Sequence, residues 1–400
     1  MVAAESFSVP DDDAQMVIDP RFVSLAHRFF RMFARPARGG GALAVYLHGR
    51  PVVDIWAGWA APDRRWRADT VALSFSTGKG VAATVLHRIA ERGLIDYDAP
   101  VATYWPEFAA RGKGAITVRD VLAHRAGLHR VRGLAATPDG ILDYDAMVRA
   151  LADAEPDPRR LRSSGYHAVT FGWLVAEIVQ RVTGEGFTEV LRREVAEPLG
   201  VEELWFRVPP EQRHRIARSF PKLHVPVLRW DTASAVLARS RRLGGIAEAG
   251  MPLGFDVLVN DPRVYDAVMP GFNGVFAARA LARMYGALAN GGRVDDVQLL
   301  RPETIDRISR VQSRGRDYVL GFPLGFTLGY HRPPIASRRP IRHGFGHYGV
   351  GGSGAYADPD LGMSVAFVTN RLGNSLNTIG DGRLARLGAQ ARAAVSRLPE

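Results

Sequence analysis

Apolar residues along this chain are spaced first as in a helix and then as in strands. Residues 21–36 place apolar side chains at helical intervals and predict an amphipathic helix that ends at Pro36. Two apolar runs follow, at 42–47 and 52–59, around a turn that contains Gly49. This pattern predicts an antiparallel hairpin.

The middle of the chain, from about 80 to 230, has a predominantly helical pattern with proline-rich joints. One helix is predicted to begin close to Ser76, and two others to cover 169–183 and 277–290. The residues at about 207–270 are rich in Arg, Gly and Pro, which predicts surface loops or a lid. A helical region therefore separates the hairpin from the C-terminal part.

Strand-like patterns return towards the C-terminus. Antiparallel strands are predicted at 324–330, 353–359 and 362–370, and a last helix at about 377–397. Strands at both ends of the chain with helices between them predict an α+β fold. In this fold, one antiparallel sheet is flanked by N- and C-terminal helices, and a mostly helical lobe is inserted into it.

The same pattern predicts how the chain is divided. Residues 1–20 are expected to be a flexible N-terminal segment, and residues 21–75 together with 270–400 to form the sheet domain. Residues 76–269 are expected to form the helical lobe with its loop or lid segment. A chain of 400 residues is long enough for two such lobes.

The bulk composition narrows the functional classes. Hydrophobic residues make up 46% and charged residues 23%, and the absence of cysteine excludes disulfides, thiolate metal sites and cysteine catalysis. No metal-binding motif is present, so no metal and no cofactor is expected. The first 20 residues lack a secretory pattern, and no apolar run is long enough for a membrane helix. A cytoplasmic protein without an integral membrane segment is therefore expected.

The formal net charge of +11 raises the question of an anionic partner. Arginines are spread along the whole chain, and two denser patches, at 239–242 and 338–342, lack the interleaved aromatic residues that stack on bases. A solvated basic surface is the favoured interpretation, with no nucleic acid as partner. A small-molecule substrate is expected, and the sequence does not indicate an oligomeric state.

Lysine is rare in this chain, and one lysine has an informative neighbour. The 52 Lys and Arg residues include only three lysines, at positions 79, 113 and 222. Arginine keeps its proton near neutral pH, whereas a desolvated lysine can lose it. In the Ser-x-x-Lys motif at 76–79, helical spacing would place the lysine amine beside the Ser76 hydroxyl. This is the geometry of a serine nucleophile with a lysine base, although the spacing alone is a weak signal.

Four further segments, in order along the chain, strengthen this signal. They are residues 117–128, which end in a Gly-Leu pair, Gly-Tyr-His-Ala at 165–168, Pro-Gly-Phe-Asn-Gly at 270–274 and His-Tyr-Gly at 347–349. With these motifs the chain resembles the serine β-lactamase-related superfamily, in its class C-like branch of esterases and penicillin-recognising enzymes. The resemblance covers nearly the whole chain and implies a β-lactamase/transpeptidase-like fold and a serine hydrolase.

The resemblance and the chemistry of acyl transfer imply a role for each site residue. Ser76 would be the nucleophile and Lys79 its base, while Tyr166 would share the base role and protonate the leaving group. Which of Lys79 and Tyr166 is the base stays open. The oxyanion hole would consist of the backbone N–H groups of Ser76 and Val350. Taken singly, Tyr166 would more often be a core or surface residue.

The substrate pocket is expected to include His347, Tyr348, Gly349 and Ala168. His347 stands where β-lactamases have a lysine, and it would be a weaker, pH-dependent cation. Tyr348 replaces a small threonine, and Ala168 replaces an asparagine that would contact an acylamino group. Gly349 would let the substrate approach the strand edge. The changes at His347, Tyr348 and Ala168 favour a neutral ester over an anionic lactam or a peptide terminus.

The main hypothesis is therefore a serine esterase that cleaves carboxylic esters of small to medium acyl groups through an acyl-enzyme. A β-lactamase or D-alanyl-D-alanine peptidase is the first alternative. An acyltransferase on the same scaffold would have the same motifs. A protein that binds anionic polymers or membranes without catalysis is the alternative from a different class.

Overall fold

The computed structural model describes most of the chain. The described residues are 15–35, 39–135, 137, 139–158, 161, 163–219, 244–250, 261–335, 341–372 and 382–396. Most of the predicted N-terminal segment, 1–20, lies outside the described residues. So do the basic patch at 239–242 and two parts of the predicted loop or lid region, 220–243 and 251–260.

One antiparallel sheet of seven strands forms the centre of the fold, and two small sheets lie outside it. The strands are β1 (Val17–Ile18), β2 (Gly40–Leu47), β3 (Arg50–Ala61), β4 (Arg64–Arg65), β5 (Ala72–Leu73), β6 (Leu204–Trp205), β7 (Val275–Phe276), β8 (Arg293–Val294), β9 (Val297–Gln298), β10 (Phe345–Tyr348), β11 (Gly354–Asp358) and β12 (Met363–Thr369). The order across the main sheet is β1, β3, β2, β12, β11 and β10, and β4 pairs with β3.

Distant parts of the chain meet in the middle of this sheet. β2 pairs with β12 from Met363 opposite Leu47 to Thr369 opposite Gly41. β2 and β3 form the predicted hairpin, and β11 and β12 pair in antiparallel fashion. The prediction of one sheet assembled from both ends of the chain is therefore confirmed.

Helices cover both faces of the sheet and form most of the inserted lobe. They are α1 (Val23–Met32), α2 (Gly78–Glu91), α3 (Val118–Leu122), α4 (Tyr144–Asp153), α5 (Thr170–Thr183), α6 (Phe187–Leu191), α7 (Glu197–Leu199), α8 (Gly244–Gly250), α9 (Ala278–Ala289), α10 (Pro302–Ser309) and α11 (Gly382–Val395). Among the described helices, none is long and apolar enough to cross a membrane. The fold is α+β, as the sequence predicts.

The alternation of side chains along β2 explains how helices pack on both faces. Leu43 and Val45 point to one face, where they share a core with Phe29 of α1 and Leu387 of α11. Ala44 points to the other face and belongs to the core that continues into the helical lobe. β2 is buried along its whole length, as expected for a strand covered on both faces. The division into a sheet domain and a helical lobe stays a prediction.

The prediction of a strand at 324–330 is wrong. The segment makes only isolated bridges, at Phe326. Gly325 and Gly329 adopt left-handed φ angles of +61° and +83°, which interrupt an extended backbone. The edge of the sheet is instead formed by β10, which the alternation pattern did not predict.

A buried ion pair joins the C-terminal helix to the sheet. Asp358 at the end of β11 pairs with Arg392 of α11, and both side chains are buried. Arg392→Leu leaves an uncompensated buried carboxylate, so the free energy of unfolding should fall by about 3–5 kcal/mol in a denaturant titration. The matched control is Arg310→Leu, which breaks an exposed pair with Asp306 and should change little. Equal losses in both variants would contradict the prediction.

Candidate active site

The candidate nucleophile lies in a strained turn at the start of α2. Ser76 is the middle residue of a 3-10 turn, Phe75–Thr77, that runs directly into the helix. Phe75 adopts a left-handed φ of +49°, which costs about 1–3 kcal/mol for a non-glycine residue. Its buried ring packs edge-on against Phe272 with centroids 5.4 Å apart. This packing holds the turn so that Ser76 lines a cavity.

Lys79 lies one helical turn after Ser76 and is fully buried. Its Nζ is 2.8 Å from Ser76 Oγ, and it donates to the carbonyl oxygens of Ala168 at 2.5 Å and Gly271 at 2.8 Å. Burial away from water holds the pKa of Lys79 well below its usual value. A neutral amine has two N–H bonds and one lone pair. Because the two carbonyls take both N–H bonds, the lone pair is left to accept the Ser76 hydroxyl proton.

Lys113 shows what a charged lysine needs in the same interior. It is equally buried, but its Nζ donates to three carbonyl oxygens, those of Ala110, Ala152 and Ala154. Three carbonyl acceptors match the three N–H bonds of an ammonium group. Lys79 has two carbonyls and one hydroxyl, so its surroundings suit an amine that accepts a proton.

Close backbone packing brings the second carbonyl to Lys79. Gly172, in the first turn of α5, lies against the loop that precedes β7, and a Cβ on Gly172 would be 2.0 Å from the backbone nitrogen of Gly271. A Cβ on Gly271 would in turn be 2.6 Å from the carbonyl oxygen of Val169. Only glycine permits this approach, which places the Gly271 carbonyl within reach of the amine.

Tyr166 stands beside the serine and the lysine. Its ring centroid is 5.2 Å from Lys79 Nζ, and the ring stacks on Phe326 with centroids 5.9 Å apart. Burial raises the pKa of Tyr166 above its usual value, and a hydrogen bond with Ser76 opposes only part of that shift. The phenol therefore keeps its proton at neutral pH. Tyr166 lies in the segment before α5, which begins at Thr170.

His124 holds the backbone on both sides of Tyr166. Its carbonyl accepts the Gly165 N–H at 3.0 Å, and its Nδ1 accepts the His167 N–H at 3.1 Å. Burial holds the pKa of His124 well below its usual value, which keeps Nδ1 free to accept. Sequence reasoning missed this residue, because the motif at 117–128 assigned no role to it.

His347 is a neutral imidazole, and the expectation of a pH-dependent cation is wrong. It is 1% exposed, and its ring centroid is 4.7 Å from that of His331. Burial holds the pKa of His347 well below its usual value. Burial also lowers the pKa of His331 to about 4. His331 accepts the Tyr348 N–H at Nε2, 3.3 Å away, which only the neutral ring can do.

The two residues of the predicted oxyanion hole line one cavity. Gly349, which follows β10, presses on the nucleophile turn, since a Cβ there would be 2.2 Å from the Ser74 carbonyl oxygen. This contact requires glycine, and it brings the next residue, Val350, to the cavity that Ser76 also lines. That their N–H groups bind an oxyanion stays a prediction.

The cavity above Ser76 is small and largely apolar, with a volume of about 210 Å³. All four predicted pocket residues line it, namely Ala168, His347, Tyr348 and Gly349. Sequence reasoning missed most of the remaining wall, because it comes from separate segments of the chain. The missed residues include Phe272, Leu320, Phe322, Leu324, His331, Pro334 and Leu384. In the described part of the chain, no lining residue is Asp, Glu, Lys or Arg. The same ranges contain no group of three or more His, Asp or Glu residues that could hold a metal.

The fold and the site together define a class of protein, that of the serine β-lactamase fold, with a serine and a buried lysine at the start of one helix. The family model described as Beta-lactamase matches residues 26–390, and the chain belongs to this family.

Named relatives agree with this assignment. The chain is 43% identical over 378 residues to Esterase/beta-lactamase LipL of Mycobacterium tuberculosis (strain ATCC 25618 / H37Rv), covering 92% of this chain and 86% of the relative. It is 26% identical over 384 residues to Esterase EstB of Burkholderia gladioli, covering 87% of this chain and 91% of the relative.

Solved structures show the same fold. A structure described as a family VIII carboxylesterase matches with a TM-score of 0.84 at 31% identity, covering 95% of this chain and 99% of that one. A penicillin-binding protein homologue from Caulobacter crescentus matches with a TM-score of 0.82 at 34% identity, covering 95% of this chain and all of that one (100%).

Gly172→Ala tests the backbone contact that delivers the second carbonyl to Lys79. The added methyl group should displace Gly271, so the rate at which Ser76 reacts with a fluorophosphonate probe should fall by about a hundredfold. The control is Gly186→Ala, where a Cβ would meet no atom within 4 Å and φ is −62°. A Gly172→Ala protein that is folded and reacts at the wild-type rate would contradict the prediction.

Proposed function

We propose that this protein is a serine hydrolase that cleaves uncharged carboxylic esters of small to medium acyl groups through an acyl-enzyme on Ser76. The observation that carries the proposal is the 2.8 Å contact between Ser76 Oγ and the Nζ of the buried Lys79. Two relatives with esterase in their names and a neighbour described as a carboxylesterase support it.

The acylation step assigns a proton path to the three side chains. Lys79 takes the Ser76 hydroxyl proton as the oxygen attacks the ester carbonyl, and a C–O bond forms. The backbone N–H groups of Ser76 and Val350 hold the oxyanion. As the tetrahedral intermediate collapses, Tyr166 gives its proton to the departing alkoxide and regains one from the Lys79 ammonium. The products are an alcohol and Ser76 bound to the acyl group.

Deacylation reverses these roles with water as the nucleophile. Lys79, again a neutral amine with a free lone pair, takes a proton from water as the water oxygen bonds to the acyl carbon. The bond between that carbon and Ser76 Oγ then breaks, and the serine oxygen takes a proton from Tyr166, which regains one from the Lys79 ammonium. The products are a carboxylic acid and the free Ser76 hydroxyl. Only the neutral amine of Lys79 can take the serine proton, and burial holds its pKa well below its usual value. Activity should therefore be lost as the pH falls through that lowered pKa. The protonation states favour Lys79 as the acylation base, since Tyr166 enters the step as a phenol.

The absence of charge around the described cavity favours neutral substrates. A β-lactam or a peptide C-terminus carries a carboxylate that needs a cation or several donors, since a buried unpaired anion is costly. His347 and His331 are neutral, and no lysine or arginine lines the described cavity. An ester without charge makes no such demand.

A second candidate is a β-lactamase activity at the same serine. It is favoured by one observation, the name Esterase/beta-lactamase of the 43% identical relative LipL. D-alanyl-D-alanine peptidase activity and acyl transfer to an alcohol other than water stay predictions from the sequence motifs. Nitrocefin turnover, measured beside ester hydrolysis, separates the β-lactamase activity from the main proposal.

Ser76→Ala and Lys79→Arg test the nucleophile and its base. The first removes the attacking oxygen, and the second replaces the amine with a guanidinium group that cannot release its proton. In both variants kcat/KM for p-nitrophenyl butyrate should fall by about a thousandfold or more, and intact mass should show no acyl adduct. The control is Lys113→Arg, which keeps a charge among three carbonyls and should retain activity per folded molecule.

Survival of activity in Ser76→Ala would overturn the acyl-enzyme. A wild-type protein that acquires no adduct from any ester, yet binds DNA or anionic vesicles in a salt-sensitive way, would instead support the non-catalytic alternative.

The uncharged cavity predicts a measurable preference between two matched esters. p-Nitrophenyl hexanoate and the p-nitrophenyl monoester of adipic acid have the same chain length, but only the second ends in a carboxylate. We expect kcat/KM to be lower for the monoester by about tenfold or more. Phe322 lines the cavity and is 38% exposed. Phe322→Arg places a cation there, so it should reduce the ratio of kcat/KM for the hexanoate to kcat/KM for the monoester, whereas the uncharged Phe322→Met should not. Equal rates for the two esters in the wild type would contradict the prediction.

A further inference from the structure

A buried carboxylate organises the turn that forms one wall of the cavity. Asp317 is 1% exposed, and its Oδ1 accepts the N–H groups of Val319 at 3.0 Å and Leu320 at 2.9 Å. Its own carbonyl accepts the Gly321 N–H at 2.8 Å. These bonds close the turn at 317–321 around the Asp317 side chain, and they place Leu320 on the cavity wall.

The same carboxylate ties this turn to the segment that carries Tyr166. Asp317 Oδ2 accepts the Ser164 hydroxyl at 2.7 Å, and the Ser164 carbonyl accepts the Tyr318 N–H at 2.9 Å. Ser164 lies only two residues before Tyr166. Two hydrogen bonds therefore join the turn and the tyrosine segment, although about 150 residues separate them in sequence.

The turn also packs against the tyrosine ring. Val319 is 2% exposed and shares a small apolar cluster with Tyr166, Phe326 and Ala249. The Tyr166 and Phe326 rings are nearly parallel, with an interplanar angle of 9°. A shift of the turn would thus move Val319 and, with it, the packing that fixes the direction of the phenol.

We infer that Asp317 is a positioning residue that holds the Tyr166 phenol where it protonates the leaving alcohol. This inference rests on the proposed function, because it assigns a partner to one step of that reaction. Asp317 touches no reacting atom and acts through the Ser164 bond and the turn it closes.

The packing around Val319 orients the Tyr166 ring, and the charge of Asp317 helps to keep its phenol protonated. After burial, which is the largest cause, the negative charge of Asp317 contributes to raising the pKa of Tyr166. The phenol is thereby kept protonated before the leaving group departs. Asp317→Asn removes the charge with almost no change in volume and weakens the bonds from Ser164, Val319 and Leu320.

Two esters with one acyl group separate this role from a purely structural one. p-Nitrophenolate leaves without a proton, whereas the ethoxide of ethyl butyrate needs one. Asp317→Asn should lower kcat/KM for ethyl butyrate by about tenfold or more and that for p-nitrophenyl butyrate by no more than about threefold. Because both esters carry the butyryl group, any change in the acyl wall affects them equally and cancels in the ratio.

Four further variants complete the experiment: Ser164→Ala, Tyr166→Phe, Tyr166→Phe combined with Asp317→Asn, and Asp143→Asn. Ser164→Ala should shift the ratio in the same direction as Asp317→Asn. In a Tyr166→Phe background, Asp317→Asn should leave the ratio unchanged, since the phenol through which it acts is gone. Asp143→Asn, which alters a carboxylate that caps α4 through the Ala146 N–H, should leave the wild-type ratio unchanged.

Equal losses for the two esters in Asp317→Asn, or a change of the ratio in the Tyr166→Phe background, would overturn the inference. A failure of the proposed function would have another signature, the absence of an acyl adduct on Ser76 in the wild type. Thermal unfolding of each variant identifies any that does not fold. If Asp317→Asn does not, Ser164→Ala decides: an unchanged ratio in that variant overturns the inference.

Discussion

The buried amine of Lys79 sets the constraint on which the rest of the site depends. A lysine removed from water favours its neutral form, and it then offers two N–H bonds and one lone pair. The structure supplies carbonyls for both N–H bonds from two distant segments, at Ala168 and Gly271, and leaves the lone pair for Ser76. The close packing at Gly172 is needed for this arrangement.

The distribution of charge in the protein follows the same constraint. The chain has a formal net charge of +11, yet the described cavity is lined by no charged side chain. Described arginines form ion pairs elsewhere, as Arg215 does with Glu203 and Arg392 with Asp358. An arginine cannot lose its proton, and a permanent cation beside the amine would lower its basicity further. The imidazoles of His331 and His347 are neutral and add no charge there.

The elements that the sequence predicted correctly depend on local pattern. The hairpin of β2 and β3 has a glycine-containing turn between two apolar runs, and the Ser-x-x-Lys spacing is one turn of helix. The segment at 324–330 misled the prediction, because its apolar alternation indicated a strand while its glycines take left-handed φ angles. His124 and Asp317 left no pattern, since their partners lie far away in sequence.

The sequence by itself determined which groups are available: one serine and lysine a helical turn apart, a tyrosine motif, and a glycine-rich strand end, in the order typical of the family. Only the tertiary structure decided their protonation states and the shape of the cavity. It buries Lys79 and His347, keeps Tyr166 a phenol, and brings together wall residues from separate segments. The physical reason is that a pKa depends on desolvation and on neighbouring charges, and both are created by contacts between distant parts of the chain.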